Sequence, residues 1–293
     1  MRLIIDAGST KMEWILLDGG AVKDRFTTGG FNPNYSDRQV FDDMIIPVET
    51  RFIASHKNET PFSRRDESAS LQSIFYYGTG CGNERNCQII KEVLQNRFPQ
   101  AEIHVTHDLM AACHALLGHE SGIACILGTG SNSCLYDGES ITERAVSLGY
   151  LVGDEGSGMH IGREVVRAYF YGFMPEDLRK KFDMMYHLEL QDFIHNLYHG
   201  EQTSRYLASF AKFAGENQSH PYIQSMVKGC FKAFVEVFVC RFDGCQTMKV
   251  SFVGSVAYHF SDLLKNALDD AGLTLGEIMQ SPAEGLVRYY GGL

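Results

Sequence analysis

The sequence predicts an α/β protein built from two lobes, and three observations support this prediction. The chain has 293 residues, which is long for a single hydrophobic core. Apolar runs typical of buried strands alternate with segments whose apolar residues recur at helical spacing. After residue 108 this pattern starts again. We therefore expect a first lobe that ends near residue 106 and a second that begins near residue 107.

The first lobe is predicted to alternate strands with helices. Apolar or alternating runs predict strands at Leu3–Asp6, Glu13–Leu17, Asp24–Thr28, Ser73–Tyr77 and Glu102–Thr106. Apolar residues at helical spacing predict helices at Asp37–His56, where Pro47 would introduce a kink, and at Asn86–Phe98. The polar stretch 57–70 is expected to be a loop.

The second lobe is predicted to begin with a short helix at Leu109–Leu117, which Gly118 ends. Strands are then expected at Gly122–Leu127, Ser133–Tyr136, Glu143–Leu148 and Met248–Val253. Residues 159–246 read as mainly helical, most clearly at Tyr222–Phe242. Further helices are expected at Ala257–Ala271 and at about Pro282–Tyr290.

The composition indicates a soluble protein of the cytoplasm. With 26 basic and 36 acidic residues the net charge is −10, and no long basic run is present, so a nucleic-acid partner is disfavoured. No apolar run is long enough for a membrane helix, and the first residues lack a secretory signal pattern. The eight cysteines form no C-x-x-C pair and are expected to be reduced, mostly in the core. An anionic ligand would then need local binding by backbone N–H groups and a metal ion.

Two strand–loop–strand segments are candidate phosphate sites. Walker A and G-x-G-x-x-G are both absent, yet "LIIDAGSTK" and "ACILGTGSN" each place small and hydroxyl residues at a hairpin tip. The two align Gly8-Ser9 with Gly130-Ser131 and suggest two similar halves. Successive N–H groups at such a tip can bind an anion, helped by the hydroxyls of Ser9 and Thr10. The alternative is a pair of ordinary tight turns.

Two aspartates follow strands. Asp6 ends an apolar strand, where a carboxylate needs solvent, a donor or a metal, and Mg²⁺ needs only one or two carboxylates beside phosphates. The alternative is a turn-capping aspartate. Asp108 stands between a strand and a helix, a position typical of an N-cap but also of a ligand-binding crevice in α/β sheets. Asp108 could therefore serve as the base in phosphoryl transfer.

Three further loops contain residues suited to ligand binding. "GDEGSG" at 153–158 places Asp154 and Glu155 among glycines, which is more than a helix start requires. "GGFNPN" at 29–34 offers the amides of Asn32 and Asn34, which suit carbohydrate recognition, although an Asn-Pro turn would explain them too. "GTGCGN" at 78–83 is a further glycine loop at a strand end. His104, His107 and His114 lack metal-ligand spacing and are interpreted as structural.

Taken together, these motifs resemble those of the N-acetylglucosamine kinase and BadF/BadG/BcrA/BcrD ATPase family, within the actin, sugar kinase and Hsp70 superfamily. The resemblance covers nearly the whole chain. It depends on Asp108 and on four segments, which are Asp6–Lys11, Gly128–Asn132, Gly153–Ser157 and Phe252–Val256. It implies two RNase H-like lobes around a central cleft. The last helix would return to the first lobe, which would then comprise residues 1–106 with 280–293, and the second lobe would comprise residues 107–279 with a helical insertion. The chain departs from the family at Ala7, Ser9 and Ser255, where relatives more often have glycine.

The resemblance also implies a role for each site residue. Asp6 would hold Mg²⁺, and Asp108 would accept the proton of a sugar 6-hydroxyl. The phosphates and adenosine of ATP would be bound by Gly8, Ser9, Thr10, Lys11, Gly128, Thr129, Gly130, Gly254 and Ser255. An amino sugar such as N-acetylglucosamine would be bound by Asn32, Asn34, Asn132, Asp154 and Glu155.

The leading interpretation is thus an ATP- and Mg²⁺-dependent amino-sugar kinase, with glucosamine and N-acetylmuramate as other candidate substrates. A second interpretation is an ATPase that activates a CoA-dependent dehydratase or reductase through an iron–sulfur cluster. Cys125 and Cys134 flank the second loop but lack a glycine-rich cysteine signature, which disfavours it. A third is a nucleotide-binding regulator without turnover. A homodimer is expected from the frequency of such assemblies.

Overall fold

The computed structural model describes residues 1–57, 71–200 and 202–292, with side chains of 52–57 outside the described part. The predicted loop at 57–70 lies, apart from Lys57, outside the described residues. The chain divides into two compact units, the first of residues 1–118 and 282–293 and the second of residues 119–281. Each unit is mixed α/β, as predicted from the sequence, and contains a five-stranded sheet. The predicted boundaries of the two lobes stay a prediction.

The sheet of the first unit has the order β3-β2-β1-β4-β5. Its strands are β1 (Arg2–Ala7), β2 (Lys11–Asp18), β3 (Ala21–Gly29), β4 (Ser73–Gly78) and β5 (Glu102–His107). The first three are antiparallel neighbours, whereas β1, β4 and β5 run parallel. Leu3, Ile4 and Ile5 are fully buried because β1 lies in the middle of the sheet. The ends of β1, β4 and β5 therefore lie side by side.

Four helices complete the first unit among the described residues, namely α1 (Arg38–Lys57), α2 (Glu84–Arg97), α3 (Asp108–Leu116) and α12 (Ala283–Gly291). The last helix packs on α3, where Arg288 donates to the Ala115 carbonyl at 3.4 Å. A Cβ atom at Gly285 would lie 2.6 Å from the Ala115 side chain, so the helices approach closely. The core around the sheet includes the fully buried rings of Trp14, Phe41 and Tyr76.

The sheet of the second unit repeats the first, with the order β10-β9-β6-β7-β8. Its strands are β6 (Gly122–Leu127), β7 (Ser131–Tyr136), β8 (Ile141–Arg144), β9 (Lys249–Val253) and β10 (Thr274–Met279). Read from the first strand of each unit, both sheets have the order third, second, first, fourth, fifth. In both, the first three strands are antiparallel and the others parallel. The two similar halves inferred from the hairpins are therefore confirmed.

Helices form the rest of the second unit. Those before β9 are α4 (Gly158–Phe170), α5 (Glu176–Tyr186), α6 (Leu190–His199), α7 (Thr203–Ser209), α8 (Ala211–Glu216) and α9 (Pro221–Phe234). Between β9 and β10 lie α10 (Ser255–His259) and α11 (Ser261–Asp270). The core is rich in phenylalanine, including Phe182, Phe213 and Phe231. In the described part of the chain, no helix combines the length and apolar character needed to cross a membrane.

Several predicted elements differ from the structure. The strand predicted at Glu143–Leu148 ends at Arg144, since Val146 and Leu148 leave the sheet and are exposed. The helix predicted at Tyr222–Phe242 changes at Val235 into a π-helical turn, and the one predicted at Ala257–Ala271 breaks at Phe260. Strand β10 has no counterpart in the prediction.

Candidate functional site

The hairpin loop between β1 and β2 forms the first candidate phosphate site. Gly8 closes the loop by donating its N–H to the Lys11 carbonyl at 3.0 Å, and Ser9 and Thr10 are exposed. The next loop supports it, because Gly30 donates to the Thr10 carbonyl at 3.0 Å. A Cβ at Gly30 would lie 2.4 Å from the carbonyl oxygen of Ser9, so only glycine permits this contact. The hairpin turn is thus held by hydrogen bonds, and the hydroxyls of Ser9 and Thr10 remain accessible.

Asp6 lies beside this loop in an unfavourable environment for a charge. Burial raises the pKa of Asp6 to about 7, and the nearby carboxylates of Glu13 and Asp108 add to the effect, whereas Lys11 opposes it. Glu13 stands directly opposite Asp6 in the register of β1 and β2, and accepts a hydrogen bond from Arg25 at 2.6 Å. A divalent cation at Asp6 would favour its ionised form, so the position suits a metal that takes few protein ligands. Among the described residues, no cluster of three or more His, Cys, Asp or Glu could hold a metal ion by itself.

Asp108 is the first residue of α3, at the end of β5. The N-cap role considered from the sequence is wrong, because His107 caps the helix and its Nδ1 accepts from the Met110 N–H at 3.2 Å. The carboxylate of Asp108 instead accepts a hydrogen bond from the Thr79 hydroxyl at 3.0 Å. Thr79 follows β4, and its own N–H donates to the Ala7 carbonyl at 2.9 Å. The strand ends thus bring Asp108 close to Asp6.

The asparagines of the 29–34 loop join the same group. The Asn32 amide approaches the Ser9 hydroxyl at 3.4 Å, and its Oδ1 accepts from the Asn34 N–H at 3.0 Å. The Asn34 Oδ1 in turn accepts from the Asn86 side chain at 2.8 Å. The structure therefore brings together, in the first unit, the predicted residues Asp6, Gly8, Ser9, Thr10, Lys11, Asn32, Asn34 and Asp108.

The second hairpin loop, between β6 and β7, is tied to the start of α4. Gly128 donates across the loop to the Gly130 carbonyl at 3.0 Å. Gly158 donates to the Gly128 carbonyl at 2.8 Å, and Met159 to the Thr129 carbonyl at 3.1 Å. Gly8 and Gly128 thus occupy the same place, one residue after the strand. The sequence alignment of Gly8 with Gly130 is wrong by two residues.

Gly254 lies against this second loop, at the end of β9. Its φ is +133°, and a Cβ would lie 2.1 Å from the Leu127 carbonyl oxygen and 3.1 Å from the Gly128 nitrogen. Glycine is required here for both conformation and space. Ser255, which follows, begins α10.

A pocket of about 440 Å³ opens beside these residues in the second unit. Gly128, Thr129 and Ser255 line one part of it, and Ala211, Lys212 and Gly215 of α8 line another. Val256 and Phe260 add apolar surface, while Gln218 and His259 add polar groups. An elongated ligand with an apolar ring at one end and an anion at the other would suit this mixture.

Asp154 lies behind the second loop, with only 9% of its surface exposed. Its φ is +58°, an unusual value for a residue with a side chain. Burial raises the pKa of Asp154, although the Ser131 N–H, which donates to its carboxylate at 3.4 Å, lowers it. Glu155 lies close enough to raise the same pKa. Asp154 thus combines a buried, hydrogen-bonded carboxylate with a left-handed backbone, and it stays a candidate site residue.

Other predicted residues are less closely connected. The Asn132 Oδ1 accepts from the adjacent Ser133 N–H at 2.9 Å, a local bond. Sequence reasoning missed Thr79, Asn86 and the α7–α8 wall of the pocket. Thr79 had a signal, since it belongs to the glycine loop at 78–83, but nothing in the sequence marks Asn86 or the helical wall.

Comparison with known proteins places this architecture among the sugar kinases. A ROK family glucokinase from Streptomyces griseus, solved with glucose and AMPPNP, superposes with a TM-score of 0.58 and 15% identity, covering 98% of this chain and 97% of its own. At that identity the likeness concerns the fold alone. No protein-family model matches the chain.

A candidate N-acetylglucosamine kinase from Porphyromonas gingivalis is much more similar, with 35% identity and a TM-score of 0.90 over 100% of this chain and 99% of that one. The chain belongs to the N-acetylglucosamine kinase family, and the resemblance inferred from its motifs is confirmed. A curated relative, the N-acetyl-D-glucosamine kinase of Dictyostelium discoideum, is 22% identical over 165 residues. That match spans 56% of this chain and about half, 52%, of the relative.

Proposed function

We propose that this protein is an ATP-dependent kinase that transfers the γ-phosphoryl group to the 6-hydroxyl of N-acetylglucosamine. The observation that carries the proposal is the grouping of Asp108, Asp6 and the asparagine amides around the first hairpin loop. The names of the relatives in this family support the choice of sugar.

Asp108 is proposed as the catalytic base. In a loose phosphoryl-transfer transition state, the base orients the attacking hydroxyl and takes its proton late, so a carboxylate in a fixed position suffices. Two connections fix this position: Asp108 begins a helix directly after a parallel strand, and Thr79 donates to its carboxylate at 3.0 Å.

Five polar side chains are the proposed sugar-binding residues. Asn32 and Asn34 carry the donors and acceptors that match sugar hydroxyls and an acetamido group. Asn132, Asp154 and Glu155 are the other three. Truncating any one of these side chains would leave a ligand hydroxyl without a partner and weaken binding.

The nucleotide is proposed to bind the pocket of the second unit. Its adenosine would lie near Gly254 and Ser255, and its phosphates near the loop formed by Gly128, Thr129 and Gly130. Gly8, Ser9, Thr10 and Lys11 of the first hairpin are the proposed second phosphate contact. Glycine at 254 supports this role, because a side chain there would also fill the space beside the second loop.

Asp6 is the proposed Mg²⁺ residue. Its raised pKa, caused by burial and by two neighbouring carboxylates, fits a side chain whose charge is stabilised when a cation is present. When bound, Mg²⁺ supplies charge neutralisation for the phosphate oxygens. The protein's part is to hold one carboxylate next to the first phosphate loop.

The ATPase-activator interpretation is disfavoured by burial. Cys125 and Cys134, the cysteines that flank the second loop, are both fully buried, and burial raises the pKa of the Cys125 thiol well above its usual range. Thiolates that ligate a shared cluster need access and ionisation. Both cysteines behave instead as core residues of β6 and β7.

A coupled ADP-release assay over a panel of sugars tests the proposed function. The panel should contain N-acetylglucosamine, glucosamine, N-acetylmuramate, N-acetylmannosamine and glucose. We expect the largest kcat/KM with N-acetylglucosamine, and ³¹P–¹H correlation NMR of the product should place the phosphate on O6. Absence of sugar-stimulated turnover with every member would contradict the kinase and favour a regulator.

A further inference from the structure

We propose that the segment 78–86, which links the end of β4 to the start of α2, positions two parts of the acceptor site separately. Thr79 would hold the carboxylate of Asp108, and Asn86 would hold the amide of Asn34. The inference rests on the proposed function, since it assigns positioning residues to that same site.

Thr79 lies between the two strands that carry the aspartates. Gly78, the last residue of β4, pairs with Ala7 on one side and with His107 on the other. Thr79 is the next residue, and it therefore lies just beyond the ends of the strands that place Asp6 and Asp108. Its N–H donates to the Ala7 carbonyl at 2.9 Å, which fixes its backbone, and its hydroxyl donates to Asp108 at 3.0 Å. Because the backbone of Thr79 is held in place, its hydroxyl limits rotation of the Asp108 carboxylate.

Asn86 is anchored at the start of α2 and is only 7% exposed. Its Nδ2 donates both to the Asn34 Oδ1 at 2.8 Å and to the Gly80 carbonyl at 2.7 Å. These bonds use both hydrogens of the amide. Because the Asn34 oxygen is held by Asn86, the orientation of the Asn34 amide is set before any sugar binds.

Close packing of the segment against the asparagine loop supports the same role. Gly80 has a φ of +84°, and a Cβ there would lie 2.4 Å from the Asn32 Oδ1 and 3.0 Å from the Asn34 Nδ2. The loop backbone thus touches both proposed sugar-binding amides. Loss of the Thr79 hydroxyl, which donates to the carboxylate of Asp108, should affect the chemical step, whereas loss of the Asn86 amide, which orients Asn34, should affect binding of the sugar.

The Thr79 half is tested by steady-state kinetics of Thr79→Val and Thr79→Ser. Valine keeps the shape and removes the hydroxyl, and we expect kcat to fall about 10- to 100-fold, as for loss of a hydrogen bond to a charged group. The KM for the sugar should stay within about twofold, since the substitution leaves every proposed sugar-binding side chain in place. Serine keeps the donor and should restore most of kcat. An unchanged kcat in Thr79→Val, or equal losses in both variants, would overturn this half.

The Asn86 half is tested by binding. Isothermal titration with N-acetylglucosamine and no nucleotide should show about tenfold weaker affinity for Asn86→Ala, because Asn34 loses its fixed orientation. In an Asn34→Ala background the same substitution should have little further effect. Asn83→Ala is the matched control: its Oδ1 caps α2 by accepting from the Asn86 N–H at 2.9 Å, so its loss weakens the same helix without removing the Asn34 contact.

Equal losses of affinity in Asn86→Ala and Asn83→Ala would overturn the Asn86 half, since both would then act through the helix. Asn86→Asp, which keeps the size and removes the donors, gives a second measurement should the alanine variant fold poorly. Melting temperatures identify variants that fail to fold. Absence of turnover in the unaltered protein would contradict the proposed function, whereas a kinase that is insensitive to both substitutions would contradict only this inference.

Discussion

The two hairpins of this protein occupy the same place in two sheets of the same topology, yet their surroundings differ. Around the first lie charged and amide side chains, including Asp6, Asp108 and Asn34. Around the second lie glycines, a pocket with an apolar wall and the buried carboxylate of Asp154. The same hairpin motif is thus surrounded by different kinds of side chain in the two units. The first suits acceptor activation and the second suits a nucleotide, and the following predictions test this division.

Asp108→Asn should have the largest effect. Because it removes the proposed base and keeps the shape, we expect kcat to fall by about 10²- to 10⁴-fold with little change in the KM for either substrate. Steady-state kinetics with N-acetylglucosamine and ATP measure this. Asp137→Asn, in an exposed turn of the second unit, is the control and should keep full activity. If Asp108→Asn retained kcat, Asp108 would not be the base, and the proposed role of the first unit in acceptor activation would be contradicted.

Gly254→Ala should act on the nucleotide side. The added Cβ would overlap the Leu127 carbonyl, and the φ of +133° disfavours any side chain, so we expect about 1–3 kcal/mol lower free energy of unfolding and weaker ATP binding. Urea denaturation and ATP titration measure the two effects. Gly215→Ala is the control. Gly215 lines the same pocket, but an added Cβ would meet only the Phe260 ring at 3.8 Å, so the protein should tolerate this substitution. If both substitutions lowered stability and ATP binding equally, the result would contradict a specific requirement for glycine at position 254.

The pH dependence of stability should reflect the half-buried carboxylate of Asp6 in the first unit. The folded pKa of Asp6 is about 7 against 3.8 unfolded, so the folded state binds one more proton between these values. The free energy of unfolding should therefore fall as pH rises from about 4 to about 7, by at most about 4 kcal/mol at about 1.4 kcal/mol per pKa unit. Asp6→Asn should flatten this fall in metal-free buffer, as measured by urea denaturation at several pH values. An identical slope in both proteins would contradict the assigned pKa shift.

The smallest effect is expected at Ser255, where relatives more often have a second glycine. Ser255 begins α10 and lines the pocket, so Ser255→Ala should raise the KM for ATP by about twofold, as for loss of one exposed hydrogen bond. The KM for the sugar and kcat should not change. Kinetics with varied ATP measure this, and a change in the KM for the sugar would contradict the assignment of Ser255 to the nucleotide.

Much of the fold could be predicted from the sequence, because the spacing of apolar residues and the repeated hairpin pattern are visible there. The alternating patterns indicated the strands and most helices, and the hairpins indicated two similar halves. The residue-level match of the hairpins failed, because the second loop offers two glycines, Gly128 and Gly130, as partners for Gly8, and so short an alignment cannot choose between them. Strand β10 was missed since Gly276 and Glu277 interrupt its apolar run, and a bulge in its pairing with β9 accommodates them.

The candidate site was predictable where side chains with unusual chemistry follow strands, as at Asp6 and Asp108. Thr79 and Asn86 were missed because their importance comes from what they contact, and hydrogen bonds such as Asn86 to Asn34 join residues far apart in sequence. The helical wall of the pocket is made of ordinary residues whose position depends on tertiary packing. Asp154 was identified from its glycine-rich setting, but its positive φ and burial needed the structure.

The return of α12 to the first unit has a consequence for synthesis on the ribosome. Arg2 donates to the Tyr290 carbonyl at 2.9 Å, and the hydroxyls of Tyr77 and Tyr290 lie 2.5 Å apart, so the first unit is stabilised by both ends of the sequence. The whole second unit is translated before those last bonds can form. The unit that begins first is therefore completed last, and a nascent chain stalled before residue 283 would expose the face of α3 that α12 covers.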